Sequence, residues 1–475
     1  MTTATVPARV ASSRSDGRYR MLGAVGALLL GAAALAGGSL ARPDPLRHGA
    51  LGWLRHPSAA NALWLAGAVV LGWSWFRLRA AGLPFLRVTM LVWAVPFAVT
   101  PPLFSRDAYL YANLGQLAQG GLSPYAHGPA DLPTRWLDSM SVSWQHSHSP
   151  YGPLFLIAAR AAVAVAGGHL WVAIALLRVL ALVGVALLAV YVPRLAAACG
   201  VDPGGAFWLG VLNPLVLGHL VSGAHADALM LGLMVAGAAY AAEGRPAVGV
   251  AIASLGVTVK APAALALPFV TLLWAERRGS RYGTAGAVAA AVAVFGVVFV
   301  AVSVGTGLGF GWLGGVSEVG ANEQWTSVST GVGMAVDRLG ASGALHVTRP
   351  IGLVVAAVLV AWLWWRAARG DRQPRPVVLA MGWSFAALVL LSPVVHPWYL
   401  LWFLTVLAAA GVAGWARVAL ACLSLAASVL VRPDGFNLAR SSVGAGETVD
   451  VLVVAAVAVW VGVTLRRATL RERAS

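Results

Sequence analysis

The chain has 475 residues, of which 59% are apolar and only 11% charged, with a formal net charge of +16. That balance excludes an ordinary soluble domain. Apolar runs of about 17 to 25 residues, each long enough for a hydrocarbon core of roughly 30 Å, recur from end to end and define an all-α, polytopic membrane protein. The arginines lie in short loops between those runs and form no basic face, so the charge does not point to nucleic acid. Cys199 and Cys422 are the only cysteines and suggest neither a disulfide framework nor a Cys-based metal site.

In chain order, residues 1–20 form an arginine-bearing tail, and Met21 to Ala41 reads as a retained first helix, too long for a signal-peptide core. Spans at Ala59 to Phe76 and Val88 to Leu103 follow. The run from Leu170 to the end at residue 465 holds the remaining spans, giving about 12 to 14 in one multi-spanning domain, with a tail at 466–475. Lys and Arg collect in cytoplasmic loops. With the N-terminus inside, 21 arginines fall inside and nine outside. The segment 151–168 carries Arg160 at its centre; counting it as a span would reverse every later loop, so it reads as a re-entrant or interfacial helix lining a cavity. Two large loops, 102–150 and 305–344, then lie outside together with nearly all the histidines, marking an extracytoplasmic site.

The first outer loop opens with "LFSRDAYLYANLGQLAQGGLSPY". Pro101 and Pro102 end the preceding span, Ser105 is a candidate cap, and Asp107 falls in the first turn of a short interfacial helix, where the helix dipole favours a carboxylate. Asp107 is thus a candidate general base or a structural acid paired with Arg106. Tyr109, Tyr111, Tyr125, Trp136 and Trp144 fit an interfacial aromatic belt or sugar-stacking surfaces. Next, "NPLVLGHLVSGAHADALM" sets His219, His225 and Asp227 around a glycine-containing break, as substrate contacts or caps. Lys260 is the only lysine; its ammonium either snorkels to water or meets a phosphate. Arg160 and Arg178, within apolar runs, are candidates for the same duty. "NEQWTSVST" offers Glu323 and Trp325, and "SPVVHPWYLLW" offers His396 and Trp398. No P-loop, dinucleotide fingerprint, HExxH, nucleophile elbow or DxD pair occurs, so a nucleotide donor read from water is not indicated. A transporter or flippase of lipid-linked sugars is the rival class, though no internal repeat supports it.

Five stretches in register, "LFSRDAYLYANLGQLAQGGLSPYAHGP", "SPYGPLF", "NPLVLGHLVSGAHADALM", "KAPAALALP" and "HPWYLLW", carry a family likeness between Leu103 and Trp402. The chain resembles the polyprenol-phosphate-mannose-dependent alpha-(1->6)-mannosyltransferases of the MptB type, among the GT-C glycosyltransferases. The resemblance implies a GT-C type fold and Asp107 as the catalytic base. It implies a polyprenyl-phosphate-mannose donor entering from the lipid, an oligomannoside or glycolipid acceptor, and inversion at the anomeric carbon. It implies a donor phosphate near Lys260 or an arginine; the candidate substrate contacts read from the residues are Arg106, Tyr111, Tyr125, Tyr151, His225, Asp227, Lys260, Glu323, Trp325, His396 and Trp398. Ala226 and His396 depart from the family pattern, which bears on acceptor or linkage. No resident cofactor is implied, and a divalent metal is left open.

Overall fold

The structure is a computed structural model that describes residues 14–44, 46–47, 52–278, 281–315, 323–340 and 342–452. The tail before residue 14, Asn322, most of the expected last span and the tail at 466–475 lie outside the described residues.

Among the described residues the fold is helical, with no sheet and only two isolated bridges, Tyr151 to Lys260 and Val431 to Asn437. The helices in order are α1 (Arg14–Gly37), α2 (Pro57–Arg77), α3 (Leu83–Val99), α4 (Asp107–Gln119), α5 (Pro153–Ala166), α6 (Leu170–Ala198), α7 (Pro203–Gly210), α8 (Asp227–Ala242) and α9 (Pro246–Val257). They continue with α10 (Leu267–Arg278), α11 (Arg281–Gly305), α12 (Trp312–Gly315), α13 (Val328–Arg338), α14 (Leu345–Arg369), α15 (Pro374–Leu391), α16 (Leu400–Ala410), α17 (Gly414–Ser428) and α18 (Leu438–Ser441). Proline opens α2, α3, α5, α7, α9 and α15 within the first two positions, where its missing N–H costs nothing.

Six described helices are long and apolar enough to cross a bilayer, α1, α2, α6, α11 (from Gly283), α14 and α15, and the pair Val216–Ser222 with α8 makes a seventh if its 110° bend is one broken span. Among the described residues several other expected spans, such as the 12-residue α9 and the 11-residue α16, are shorter than a full crossing. For these the physical reason is shared. A π-helical turn at Val216–Ser222 and 3-10 turns at Ala261–Ala266 and Pro397–Tyr399 interrupt them at the same end of the bundle, and irregular backbone at such depth persists only where protein or a cavity covers it.

That end, here the site end, is stitched by loop contacts. Ser39 N–H donates to Pro102 O at 2.8 Å, Leu103 N–H to Ser222 Oγ at 3.1 Å, and Gly152 N–H to Val259 O at 2.9 Å. The far end carries Arg194 paired with Glu243, Tyr191 against Tyr240, and Arg375 donating to Ala410 O. The helix α5 does not run between the two. Its 14 residues reach only about 21 Å. One end is tied to Val259, and Gly168 beyond the other accepts from Arg135 of the first large loop. Arg160 is exposed on it.

Small residues let the central helices touch. A Cβ on Gly184 of α6 would fall 2.2 Å from the Ala228 backbone of α8, and one on Gly232 would fall 2.6 Å from Gly184 O. Such backbone approach is how helices associate where apolar contact with lipid competes. Arg178 of α6 has a structural role: its guanidinium donates to Ala98 O, Thr100 O and Ser222 O at 2.7–2.9 Å. Pro101 and Pro102 end α3, and Arg178 satisfies carbonyls that no helical N–H can reach. Its hydrogen bonds thus go to backbone carbonyls.

Candidate active site

Asp107 is the first residue of α4, and its N–H donates to Ser105 Oγ at 3.0 Å; the N-cap position is Arg106, so the serine precedes the helix and is not the expected cap. The helix itself differs from expectation. An interfacial helix should keep a polar face in water, yet Ala108 to Gly115 are all buried. Tyr109 is fully buried and donates its hydroxyl to Ser39 O at 2.8 Å, and Asn113 donates to Tyr109 O and Trp136 O. Tyr109, Tyr111 and Trp136 are therefore core residues and not an aromatic belt.

The Asp107 side chain keeps 21% of its surface and its Oδ2 lies 3.2 Å from Nδ1 of the fully buried His225. The approach is off the line of a full hydrogen bond, leaving the contact as a short electrostatic one. Burial pushes the Asp107 carboxyl up, but the contact with His225 and the Ser105 hydroxyl hold it below the ordinary carboxyl value. The His225 ring stacks on Trp398 at 4.1 Å, and Trp398 stacks on His396 at 4.5 Å. Burial lowers His396 to about 4, so its ring is neutral near pH 7. The backbone ahead of His225 is unusual twice over: the π-helical turn ends at Ser222, and Ala224 adopts φ +51. Both are features that collect at functional sites.

Asp107 opens onto a cleft of about 530 Å³. Phe104, Trp144, Trp398 and Phe436 give it aromatic walls, Ser141, Ser143, Gln324 and Asn437 supply hydroxyls and amides, and Arg42 and Arg106 stand at its edge. Arg106 is not the partner of Asp107. Its guanidinium donates to Leu40 O at 2.9 Å and Ser139 O at 2.7 Å.

Behind Asp107 lies a second buried pair. Asp227, fully buried at the start of α8, accepts from Lys260 Nζ at 2.8 and 3.0 Å and from Trp402 Nε1 at 2.7 Å. The ammonium also faces the rings of Tyr399, Trp402 and Tyr151 at 4.8–5.9 Å. Lys260 is 8% exposed, so it neither snorkels nor lines the cleft; a phosphate contact there would require the pair to open. His225 and Asp227, neighbours in sequence, thus point to different acid–base partners. Tyr111 and Tyr151 pack edge to face at 5.1 Å, and burial raises both phenols well above their ordinary value, keeping them neutral. Tyr125 donates to Tyr151 O at 3.2 Å from outside the cleft lining.

The second loop divides. Glu323 is exposed and lines a separate cleft with Asp337, His346 and Arg349, while Trp325 donates to Ala439 O at 2.9 Å and anchors the chain after α17. Gln324 between them reaches the Asp107 cleft, as do Asp434 and Asn437. None of these was singled out from sequence. The signal available for the last two was the "RPDGFN" turn, in which Gly435 has φ +82 and Phe436 O accepts from Arg432 N–H at 3.0 Å. Among the described residues no group of three His, Cys, Asp or Glu side chains is placed to hold a metal ion.

Comparison with known proteins finds relatives along most of the chain. Residues 20–276 match the family described as alpha-(1->6)-mannopyranosyltransferase, N-terminal domain, and residues 322–467 match the MptB C-terminal domain. The chain is 37% identical over 437 residues to alpha-(1->6)-mannopyranosyltransferase A of Mycobacterium tuberculosis, spanning 87% of this chain and 84% of that one. Against a probable alpha-(1->6)-mannopyranosyltransferase of Mycolicibacterium smegmatis the identity is 34% over 449 residues, 82% of this chain and 78% of the relative. Alpha-(1->6)-mannopyranosyltransferase B of Corynebacterium glutamicum is 29% identical over 468 residues, 88% of this chain and 77% of the relative. No solved structure matches. With both halves matched, and with a carboxylate opening into an aromatic, amide-lined cleft among apolar helices, the chain belongs to the alpha-(1->6)-mannopyranosyltransferase family and is a membrane-bound mannosyltransferase.

Proposed function

We propose that this enzyme forms alpha-1,6 linkages by inverting transfer of mannose from polyprenyl-phosphate-mannose to a mannan acceptor, with Asp107 as general base. The observation that carries this reading is that Asp107 lines the cleft while its carboxylate contacts the buried His225 behind it. The acceptor hydroxyl gives its proton to Asp107 while its oxygen attacks the anomeric carbon. The carbon–oxygen bond to phosphate breaks, and polyprenyl phosphate leaves with the electron pair. A beta-linked donor then yields an alpha-linked product. A carboxylate held ionised is ready to accept that proton, and His225 gives the resulting neutral acid a fixed neighbour. Arg42 and Arg106, at the rim of the cleft, are the cations suited to the donor phosphate. Aromatic walls with amides and hydroxyls suit sugar rings, which present apolar faces and polar edges.

In this reading the site end faces the extracytoplasmic side of the plasma membrane, in lipomannan-type envelope synthesis. The surplus of arginines assigned to the other end supports that orientation. Purified enzyme given polyprenyl-phosphate-mannose and an oligomannoside should lengthen it, and Asp107→Asn should lower kcat by about 10² to 10⁴. Transfer at the wild-type rate in that variant would end the base assignment.

A further inference from the structure

A second polar cleft, of about 560 Å³, lies beside the first and shares Asp434 with it. It is formed by the site ends of α1 and α2 and the turn after α17, and its polar lining is Asp44, Arg47, Arg55, Asn61, Arg432 and Asp434. We propose that this cleft is a distal subsite for acceptor sugar units beyond the one that reacts at Asp107; the inference rests on the transfer reading above.

The charges decide the ligand class. Arg55 pairs with Asp44 at 2.7 Å and Arg432 with Asp434 at 2.7 Å, so two of the three cations are already matched by carboxylates. A phosphate would have to settle against both carboxylates, whereas a neutral polyol finds alternating fixed donors and acceptors. Arg432 lines the cleft, and its buried Nε has no hydrogen-bond partner within the protein. The turn Gly52–Leu54 contributes Gly52 to the cleft, and the next residue, Trp53, is 78% exposed. An enzyme that extends a chain by one unit per cycle needs somewhere to lay the units already made. A second cleft that has Asp434 in common with the reaction cleft is placed to supply it.

The test uses full-length Asp107→Asn protein in detergent, so that binding is read without turnover. Alpha-1,6-linked mannobiose and mannohexaose are titrated calorimetrically against this protein and against the same protein carrying Arg47→Ala and Asn61→Ala. The inference expects mannohexaose to bind more tightly than mannobiose, and the added substitutions to weaken mannohexaose about tenfold while leaving mannobiose unchanged. Equal effects on both sugars, or on neither, overturn it. So does competition by inorganic phosphate at the lower affinity of an anion site. If the double substitution lowers the melting midpoint, Trp53→Ala, a change at an exposed ring, supplies the same comparison. Failure of wild-type enzyme to transfer mannose would sink the Asp107 assignment and leave this binding result standing on its own.

Discussion

Asp107 and His225 form a pair whose chemistry depends on which influence on the carboxyl prevails. Burial alone would raise it; the imidazole contact, placed first among the opposing influences, turns the balance downward. The base works deprotonated, so kcat/KM should fall only as pH drops through a value below the ordinary carboxyl range. In His225→Gln the lowering contact is gone and burial remains, so the acid limb of the pH–rate profile should move to higher pH. A limb that does not move would make His225 a packing residue only. The sign for stability is the same: a depressed carboxyl contributes stability that is present above its unfolded value and lost as pH falls through the folded one. At this scale the sequence was partly legible. Asp107 at a helix start after two prolines stood out, as did His225, His396 and Trp398. Arg178 was marked for its burial but misread, because only the fold reveals that its partners are carbonyls stranded by Pro101 and Pro102. The pairing of Lys260 with Asp227 was equally hidden, since 33 residues separate them and helix spacing does not relate residues so far apart.

Among the elements, the contact of α6 with α8 carries the site, because α8 begins at Asp227 and follows directly on His225. Gly184 makes that contact possible. In Gly184→Ala the added methyl meets Ala228 backbone at 2.2 Å, where nothing flexible can yield. We expect a loss of about 1–3 kcal/mol, seen as a lower melting midpoint, with activity falling alongside as His225 shifts. An unchanged midpoint would mean that the helices part without cost. Hydropathy found these helices but not their breaks. Apolar length alone cannot separate a full crossing from two short helices meeting at a 110° bend, because both read as one continuous apolar run. The segment 151–168 stood apart because of its central arginine, and its helix has 14 residues, short for a crossing.

The whole molecule has two unlike ends. Loops rich in histidine, aromatic rings and carboxylates gather at one, while Arg366, Arg369, Arg372 and Arg375 mark the other. Sidedness is directly testable. In a Cys422→Ser background, which removes the exposed native thiol, an impermeant maleimide should label Glu323→Cys on intact cells and reach Asp371→Cys only after the cells are opened. Labelling in the reverse order would invert the proposed orientation.

The cleft draws on both sequence halves: Phe104 to Trp144 form one wall, and His396 to Asn437 form the other. Synthesis proceeds from the N-terminus, so the carboxylate reaches the bilayer long before the surface that must face it. The cleft is therefore complete only after His396, Trp398 and Asn437 have joined Phe104 and Asp107.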